Sequence, residues 1–238
     1  MTAAITRKTE IPPQQGSAGV VTRVMLDAEG AGGRLVRRLV DVAAGAAYAG
    51  TAGPGGELWF VIAGSAGLES DGSEVRAGPQ TGLHLAGGTR YRLSPAGREP
   101  VQLDVVGLPG LFNAGAGLGG EPRVAQLADC AVETTGDRRF RVLFGPGRGC
   151  AAATQFVGEI PPGRAPEHSH PYDEVVLVLA GRGVVHLGPA EQPLAAGSCV
   201  HLPPGQPHCL ENTGRETLMV LGVFHPGGSP AQKETEPG

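Results

Sequence analysis

The sequence lacks several features that would assign it to a common functional class. It has no unbroken apolar run of about 18 residues, the length that a transmembrane helix needs. Its opening segment, MTAAITRKTE, contains no apolar stretch of signal-peptide length. A strong charge of either sign is also missing, since the formal net charge is −4 and the pI is about 6.0. From these absences we expect a cytoplasmic protein without a membrane or nucleic-acid partner.

Cysteine is also rare, and no two cysteines form a CxxC motif. Because the sequence shows no secretion signal, we expect free thiols rather than disulfides. The four cysteines are Cys130, Cys150, Cys199 and Cys209.

No long helical period is present, whereas glycine and proline are abundant. The 40 glycines and 21 prolines make up about a quarter of the 238 residues, a fraction that can indicate disorder. Here, however, the glycines separate apolar runs of strand length, such as LWFVIAG, EVVLVLAG and LMVLGVF. Short apolar segments bounded by Gly and Pro are typical of an all-β sandwich or barrel. The sequence therefore predicts an all-β fold.

The two halves of the chain match each other at a constant offset of 117 residues, which aligns Glu57 with Glu174. A fixed offset held over about fifty residues indicates a duplicated domain. Further matched segments are Ala63-Gly64 with Ala180-Gly181, His84-Leu85 with His201-Leu202, and Gly97-Arg98-Glu99 with Gly214-Arg215-Glu216.

Histidine is scarce, at 7 of 238 residues, yet two histidines lie one residue apart in PEHSHPYDE, residues 166–174. The i, i+2 spacing of His168 and His170 directs both side chains to one face of an extended segment. Glu174 lies an even number of residues further on, so in a regular strand its side chain is on the same face. The turn PPGQP then leads into a further strand that begins at His208. Three neutral imidazoles and one carboxylate make a mixed nitrogen and oxygen site. We therefore predict that these four residues bind a metal.

The same residues give the chain a resemblance to the cupin family. The first cupin motif is a glycine, then H-x-H, three or four residues, E, six residues and G, and the second is G-x5-P-x-G-x2-H-x3-N. The first motif is matched by His168, His170, Glu174 and Gly181, although the leading Gly163 is one residue closer than usual. The second is matched at every fixed position, by Gly197, Pro203, Gly205, His208 and Asn212.

The resemblance implies two tandem cupin barrels of the double-stranded β-helix or jelly-roll type, with an intact metal site only in the second. It also implies one divalent first-row ion per chain, from among Fe, Mn, Ni, Co and Zn. His168, His170 and His208 would hold the ion, and Glu174 would complete the shell or act as a catalytic base. Because imidazole binds a metal only when neutral, three such ligands would make metal affinity fall steeply from about pH 7 to about pH 5.

The leading functional expectation is a dioxygenase-type oxygenase acting on a small organic molecule, because cupin dioxygenases use this ligand set. The alternatives are a non-redox isomerase, decarboxylase or cyclase, and a binding or sensor protein without turnover. The expected partner is a small-molecule substrate, and homodimer formation stays open.

Five parts make up the predicted organisation of the chain, and the first half has lost most of the metal motif. By the constant offset, Thr51, Gly53 and Tyr91 replace the three histidines, and only Glu57 is kept. We interpret this half mainly as structural. The five parts are an N-terminal arm at 1–19, the first cupin at 20–110, a linker at 111–136, the metal-binding cupin at 137–228 and a polar tail at 229–238.

Other side chains near the motifs are weaker candidates. Tyr172 lies between the ligands, and Gln206 lies in the turn before His208, so both could contact substrate. His201 and His186 are interpreted as structural residues of the sheet.

Overall fold

The computed structural model describes residues 4–29, 35–108 and 121–231. Within these ranges the regular secondary structure consists of β-strands and a single 3₁₀ turn at Leu127–Asp129, which confirms the predicted all-β fold. None of the described segments forms a helix long and apolar enough to cross a bilayer. All four cysteines are thiols rather than disulfides, which agrees with the sequence, and the structure shows in addition that all four are buried.

The chain divides into two compact units, each built from two antiparallel sheets. We call Thr9–Asp129 the N-terminal barrel, and Met1–Lys8 together with Cys130–Gly238 the C-terminal barrel. The described parts of the predicted arm and linker contain strands that belong to these barrels. Residues 1–3, 111–120 and 232–238 of the predicted arm, linker and tail lie outside the described residues.

The N-terminal barrel has a seven-stranded and a four-stranded sheet, with strands numbered in chain order. The larger sheet runs β12 (Arg123–Gln126), β9 (Thr81–Leu85), β6 (Glu57–Ala63), β11 (Val101–Gly107), β4 (Val36–Val42), β3 (Val20–Leu26) and β2 (Gln14–Gln15). The smaller sheet runs β5 (Tyr48–Thr51), β10 (Arg90–Pro95), β7 (Ala66–Ser70) and β8 (Ser73–Ala77).

The C-terminal barrel repeats this plan. Its larger sheet runs β1 (Ala4–Arg7), β20 (Ser198–Leu202), β17 (Asp173–Ala180), β22 (Leu218–His225), β15 (Thr154–Ile160), β14 (Arg138–Phe144) and β13 (Glu133–Thr135). Its smaller sheet runs β16 (Gly163–Arg164), β21 (Cys209–Asn212), β18 (Arg182–Leu187) and β19 (Ala190–Ala195). The two spatial orders correspond strand for strand, which supports the duplication seen in the sequence.

Burial explains why the apolar runs become central strands. In β17, DEVVLVLA, the first six side chains are buried, because the strand lies between β20 and β22 and is covered on both faces. The repeated glycine after this run has a steric reason. Gly181 and Gly64 have φ values of +87° and +78°, and a Cβ on either would collide with the backbone of Thr217 or Pro100, respectively.

Candidate metal centre

The C-terminal barrel contains a cavity of about 80 Å³. This volume accommodates several water-sized groups, on the scale that gives one water about 10–15 Å³. Its walls are largely apolar, and the four predicted metal ligands are also among the lining residues. The apolar lining includes Phe140, Phe156, Ile160, Val176, Leu202, Leu210 and Val220.

Three of the four predicted ligands converge in this cavity. His170, Glu174 and His208 each offer a ligand atom, and these atoms lie within 4.8 Å of one another. Glu174 is the second residue of β17, a central strand, and His208 immediately precedes β21. All three residues are buried. His170 lies in the loop before β17, where its carbonyl accepts a hydrogen bond from Gly205 N at 2.9 Å.

His168 also lines the cavity but stands slightly apart from this close group. Its backbone forms a bridge with His208, with N···O distances of 3.0 and 2.9 Å in the two directions. The imidazole centroid of His168 is 4.5 Å from that of His208 and 6.3 Å from that of His170. His168 therefore lies beside the close group of three residues without belonging to it.

Backbone carbonyls select the tautomer of all three histidines. In each case the ring Nδ1 lies at hydrogen-bond distance from a carbonyl oxygen two residues away, and a carbonyl can only accept. Nδ1 therefore carries the proton, and the neutral ring presents the lone pair of Nε2. The pairs are His168 with Pro166 O at 3.1 Å, His170 with Tyr172 O at 3.0 Å, and His208 with Gln206 O at 2.8 Å.

His170 and Glu174 form a close pair at the base of the site. His170 Nε2 is 2.8 Å from Glu174 Oε2. Burial opposes the charged form of His170, but the carboxylate of Glu174 outweighs this effect, and the net result is a raised pKa for His170. Burial likewise opposes ionisation of Glu174, but His170 and the two other imidazoles outweigh it and lower the pKa of Glu174. Glu174 is therefore an anion in the neutral pH range.

The two other histidines are held neutral. Burial is the main cause that lowers the pKa of His208 to about 4. Burial also lowers the pKa of His168, and the nearby positive charge of Arg138 adds to this effect. Two neutral imidazoles thus stand beside an anionic carboxylate, which is the protonation state that metal ligands need.

The donor set fits a divalent metal ion. His170 Nε2 is buried and has no aligned hydrogen-bond partner despite its nearness to Glu174. A cation among these groups would satisfy this nitrogen and would balance the buried carboxylate. Imidazole nitrogens with one carboxylate oxygen suit first-row divalent ions.

The two weaker substrate candidates occupy different places. Tyr172 lines the cavity and is sandwiched between two rings, with centroid distances of 4.1 Å to His170 and 4.0 Å to Phe224. Its packing fixes the orientation of the His170 ring. Gln206 is not among the residues that line the cavity, and its side-chain amide donates to Pro207 O at 3.0 Å. Its contribution to the site is the backbone carbonyl that holds His208.

The histidines interpreted as structural lie outside the cavity lining. His201 Nε2 is 2.7 Å from Asp173 Oδ1, and both side chains are buried. His186 lies between Glu191 and Glu211 on the smaller sheet, at 3.0 and 2.8 Å.

The matching place in the N-terminal barrel is filled by protein. The buried Glu57 accepts hydrogen bonds from Arg38 Nη2 and from Trp59 Nε1, each at 2.7 Å. Tyr91 packs edge-on against Trp59, with ring centroids 4.7 Å apart, and also contacts Tyr48. Tyr91 has the strand position that His208 has in the other barrel, and its hydroxyl fills the place of a side chain on Gly50.

Backbone pairing corrects the sequence alignment of the two sites by one residue. His208 pairs with His168, whereas its counterpart Tyr91 pairs with Gly50. The carbonyl that accepts from the turn glycine belongs to His170 in one barrel and to Ala52 in the other. The counterparts of the first two histidines are therefore Gly50 and Ala52 rather than Thr51 and Gly53. The segment before Glu57 is one residue longer than the segment before Glu174, and the constant offset conceals this difference.

Arg138 and Phe156 are among the cavity residues that sequence reasoning missed. Both precede the motifs, on β14 and β15, and neither belongs to a recognisable spacing pattern. Only the closure of the barrel brings these strands to the ligands.

Comparison with known proteins agrees with this description. A family model described as a cupin domain matches residues 156–224. Auxin-binding protein 1 from Arabidopsis thaliana is 37% identical over 73 residues, which cover 27% of this chain and 37% of that protein. The match thus spans little more than a third of this relative's length.

Two solved structures share the fold of nearly the whole chain. Protein Ylba from E. coli has a TM-score of 0.79 at 12% identity, with 94% of this chain and 90% of that chain covered. A mutant of the Bacillus subtilis oxalate decarboxylase OxdC has a TM-score of 0.79 at 13% identity, with 99% and 80% covered. At such low identity these likenesses show the fold alone. The family model thus matches a segment of the C-terminal barrel as a cupin domain. The N-terminal barrel has the same strand order, so the chain consists of two barrels of this fold in tandem.

Proposed function

We propose that the C-terminal barrel is a metal-dependent enzyme that acts on a small organic molecule and holds one divalent first-row ion. The observation that supports this most directly is the convergence of His170, Glu174 and His208 within 4.8 Å in a largely apolar cavity. An apolar wall around a few converging polar groups is the usual character of an active site.

Each residue has a role in this proposal. His170 and His208 would bind the ion through Nε2, and His168 would add a third nitrogen. Glu174 would complete the ligand set, or would take up a proton from the substrate at its carboxylate. A bound ion would supply Lewis acidity and open coordination positions. The apolar residues around the ligands would exclude water and strengthen these electrostatic interactions.

The first candidate chemistry is an oxygenase reaction of the dioxygenase type. The close group of His170, Glu174 and His208 consists of two histidines and one carboxylate. That composition is found in non-haem iron oxygenases, where open positions receive substrate and O₂.

The second candidate is non-redox chemistry, such as decarboxylation, isomerisation or cyclisation. It is favoured by the shared fold with an oxalate decarboxylase, one of whose structures is described as having Mn(II) centres. The same four ligands would serve this chemistry, with Glu174 as the base.

One set of measurements tests both candidates and the proposal itself. The protein is purified without oxygen, its metal content is measured, and O₂ uptake and product formation are followed with a panel of small metabolites. We expect about one metal equivalent per chain, because one barrel has the full set of predicted ligands. Turnover with O₂ uptake supports the oxygenase, and turnover without it supports the non-redox enzyme. Tight ligand binding without turnover across the panel would contradict an enzymatic role and favour a sensor.

A further inference from the structure

A single arginine in the cavity has no partner in the described parts of the chain. Arg138 is the first residue of β14 and lines the same cavity as the metal ligands. Its side chain is half-buried, and its Nε is fully buried without a hydrogen-bond acceptor. Leaving a buried guanidinium N–H unpaired costs free energy, so this arrangement calls for an acceptor.

The other charged side chains of the cavity lining have opposite charges beside them. Glu159 is 2.6 Å from Arg141, and Arg139 is 3.9 Å from Glu159. Glu174 has His170 at 2.8 Å. Arg138 is therefore the one positive charge of the lining that the described residues leave unbalanced.

Arg138 and the predicted metal ligands line one cavity of about 80 Å³. With one carboxylate in the ligand set, a bound divalent ion would leave a net positive charge, and Arg138 adds another. A pocket of this kind favours an anion over a neutral molecule.

We propose that Arg138 binds the carboxylate, or a similar planar oxyanion, of the substrate, so that the natural substrate is a small organic anion. This inference rests on the proposed function, because it places the anion beside the metal ligands. Arginine offers two parallel N–H donors that match the two oxygens of a carboxylate. The cavity of about 80 Å³ limits the substrate to a few heavy atoms beyond the ion.

The test uses glycolate as the anionic probe and glycolamide as its neutral counterpart, with the full chain loaded with Mn(II). Their dissociation constants are measured for the native chain and for Arg138→Gln. We expect Arg138→Gln to weaken glycolate binding about ten- to hundredfold, the range for a hydrogen bond to a charged group. Glycolamide binding should change less than about threefold.

Two further variants keep the test decisive. Arg182→Gln removes the same charge from an exposed position on the smaller sheet of the same barrel, outside the cavity lining, and should leave glycolate binding unchanged. Arg138→Lys keeps the charge but loses the paired donors, and we expect an intermediate loss. If Arg138→Gln does not fold, the comparison of the native chain with Arg138→Lys tests the proposal instead.

Metal content separates the two ways of failing. If the native chain binds no Mn(II), the proposed function fails. If all variants bind Mn(II) and glycolate binds the native chain and both Arg138 variants equally well, the metal site stands but Arg138 is not the anion site. An equal loss of glycolate and glycolamide binding would also overturn the proposal, because it would indicate a change of cavity shape rather than loss of a charge partner.

Discussion

The two barrels share a buried glutamate, and they differ in what surrounds it. Glu174 is 7% exposed and Glu57 is 4% exposed, so both carboxylates are removed from water and need a positive partner. In the C-terminal barrel the neighbours are imidazoles, and in the N-terminal barrel they are an arginine and aromatic rings. The neighbouring positions, matched by backbone pairing, are His168 with Gly50, His170 with Ala52, and His208 with Tyr91.

Sheet register shows where the N-terminal barrel obtains its cation. Glu57 on β6 lies opposite Gly107 on β11, and Gly107 lies opposite Val36 on β4. Arg38 is two residues further along β4, on the same face, and its guanidinium reaches Glu57 at 2.7 Å. A protein cation thus satisfies this carboxylate permanently.

The same path in the C-terminal barrel leads to an apolar residue. Glu174 on β17 lies opposite Phe224 on β22, and Phe224 lies opposite Thr154 on β15. Two residues further along β15 is Phe156, which lines the cavity. Phe156 therefore stands where the other barrel has Arg38. A metal site requires both the presence of imidazoles and the absence of this internal cation.

The largest effect is expected when the C-terminal barrel is given an arginine at the position that corresponds to Arg38. In Phe156→Arg, a guanidinium placed as Arg38 is placed would neutralise Glu174 and repel a metal ion. Two unit charges about 4 Å apart interact by about 4 kcal/mol at an effective dielectric constant of 20, or about a thousandfold in affinity. Metal content after dialysis should fall close to zero, as measured by elemental analysis. The control Phe156→Leu should keep its metal, and equal loss in both variants would show that only the packing matters.

A second pair of variants compares the positions of His208 and Tyr91. His208→Ala removes a ligand and should lower metal affinity more than about a hundredfold, since loss of an outer hydrogen-bond partner alone costs about 10–100-fold. Tyr91→Ala should leave metal affinity unchanged but should destabilise the N-terminal barrel by about 3–5 kcal/mol, because Tyr91 is packed among aromatic rings. Metal titration and urea unfolding measure the two effects. The assignment of the sites is wrong if both variants lose metal affinity equally.

The two glutamates provide a third, smaller contrast. Glu174→Gln should weaken metal binding about tenfold or more, because an amide oxygen is a poorer ligand than a carboxylate. Glu57→Gln should retain full metal content and lose about 1.5–3 kcal/mol of unfolding free energy, because Arg38 loses its charged acceptor. Metal loss in Glu57→Gln would show that the N-terminal barrel contains a working site.

The smallest expected effect is the pH dependence of metal binding. His170 has a raised pKa, so near neutral pH it must release a proton before it binds an ion, whereas His208, with a pKa of about 4, is already neutral. Affinity should therefore rise about tenfold per pH unit below the His170 pKa, with one competing proton instead of the three expected from sequence.

The sign of the stability change follows from the same pKa. Without metal, the raised pKa of His170 stabilises the folded chain below the unfolded histidine value of about 6.5, and this contribution is lost as the pH rises through the folded pKa. Stabilisation by metal runs in the opposite direction and grows with pH. The rise in melting temperature on adding Mn(II) should be larger at about pH 7.5 than at about pH 5.5. A slope near three protons would contradict the assigned protonation states.

Much of the fold and the ligand set could be predicted from the sequence, because both depend on short-range patterns. Apolar runs bounded by glycine predict strands without knowledge of their partners, and the positive φ of Gly181 is a local property of its turn. The spacing of His168, His170 and Glu174 is a property of one segment of chain. His208 follows from the second motif and its turn.

The tertiary structure alone decided which residues meet across strands. The counterparts of the first two histidines differ by one residue from the constant offset, because backbone pairing, not sequence spacing, sets which residues face each other. Phe156 and Arg138 have no motif, and they reach the cavity only through the register of β15 and β14. Sequence determined which side chains could bind a metal. The pairing of distant strands decided that one glutamate has an arginine beside it and the other does not, because a cross-strand neighbour is chosen by the closed barrel and not by its position along the chain.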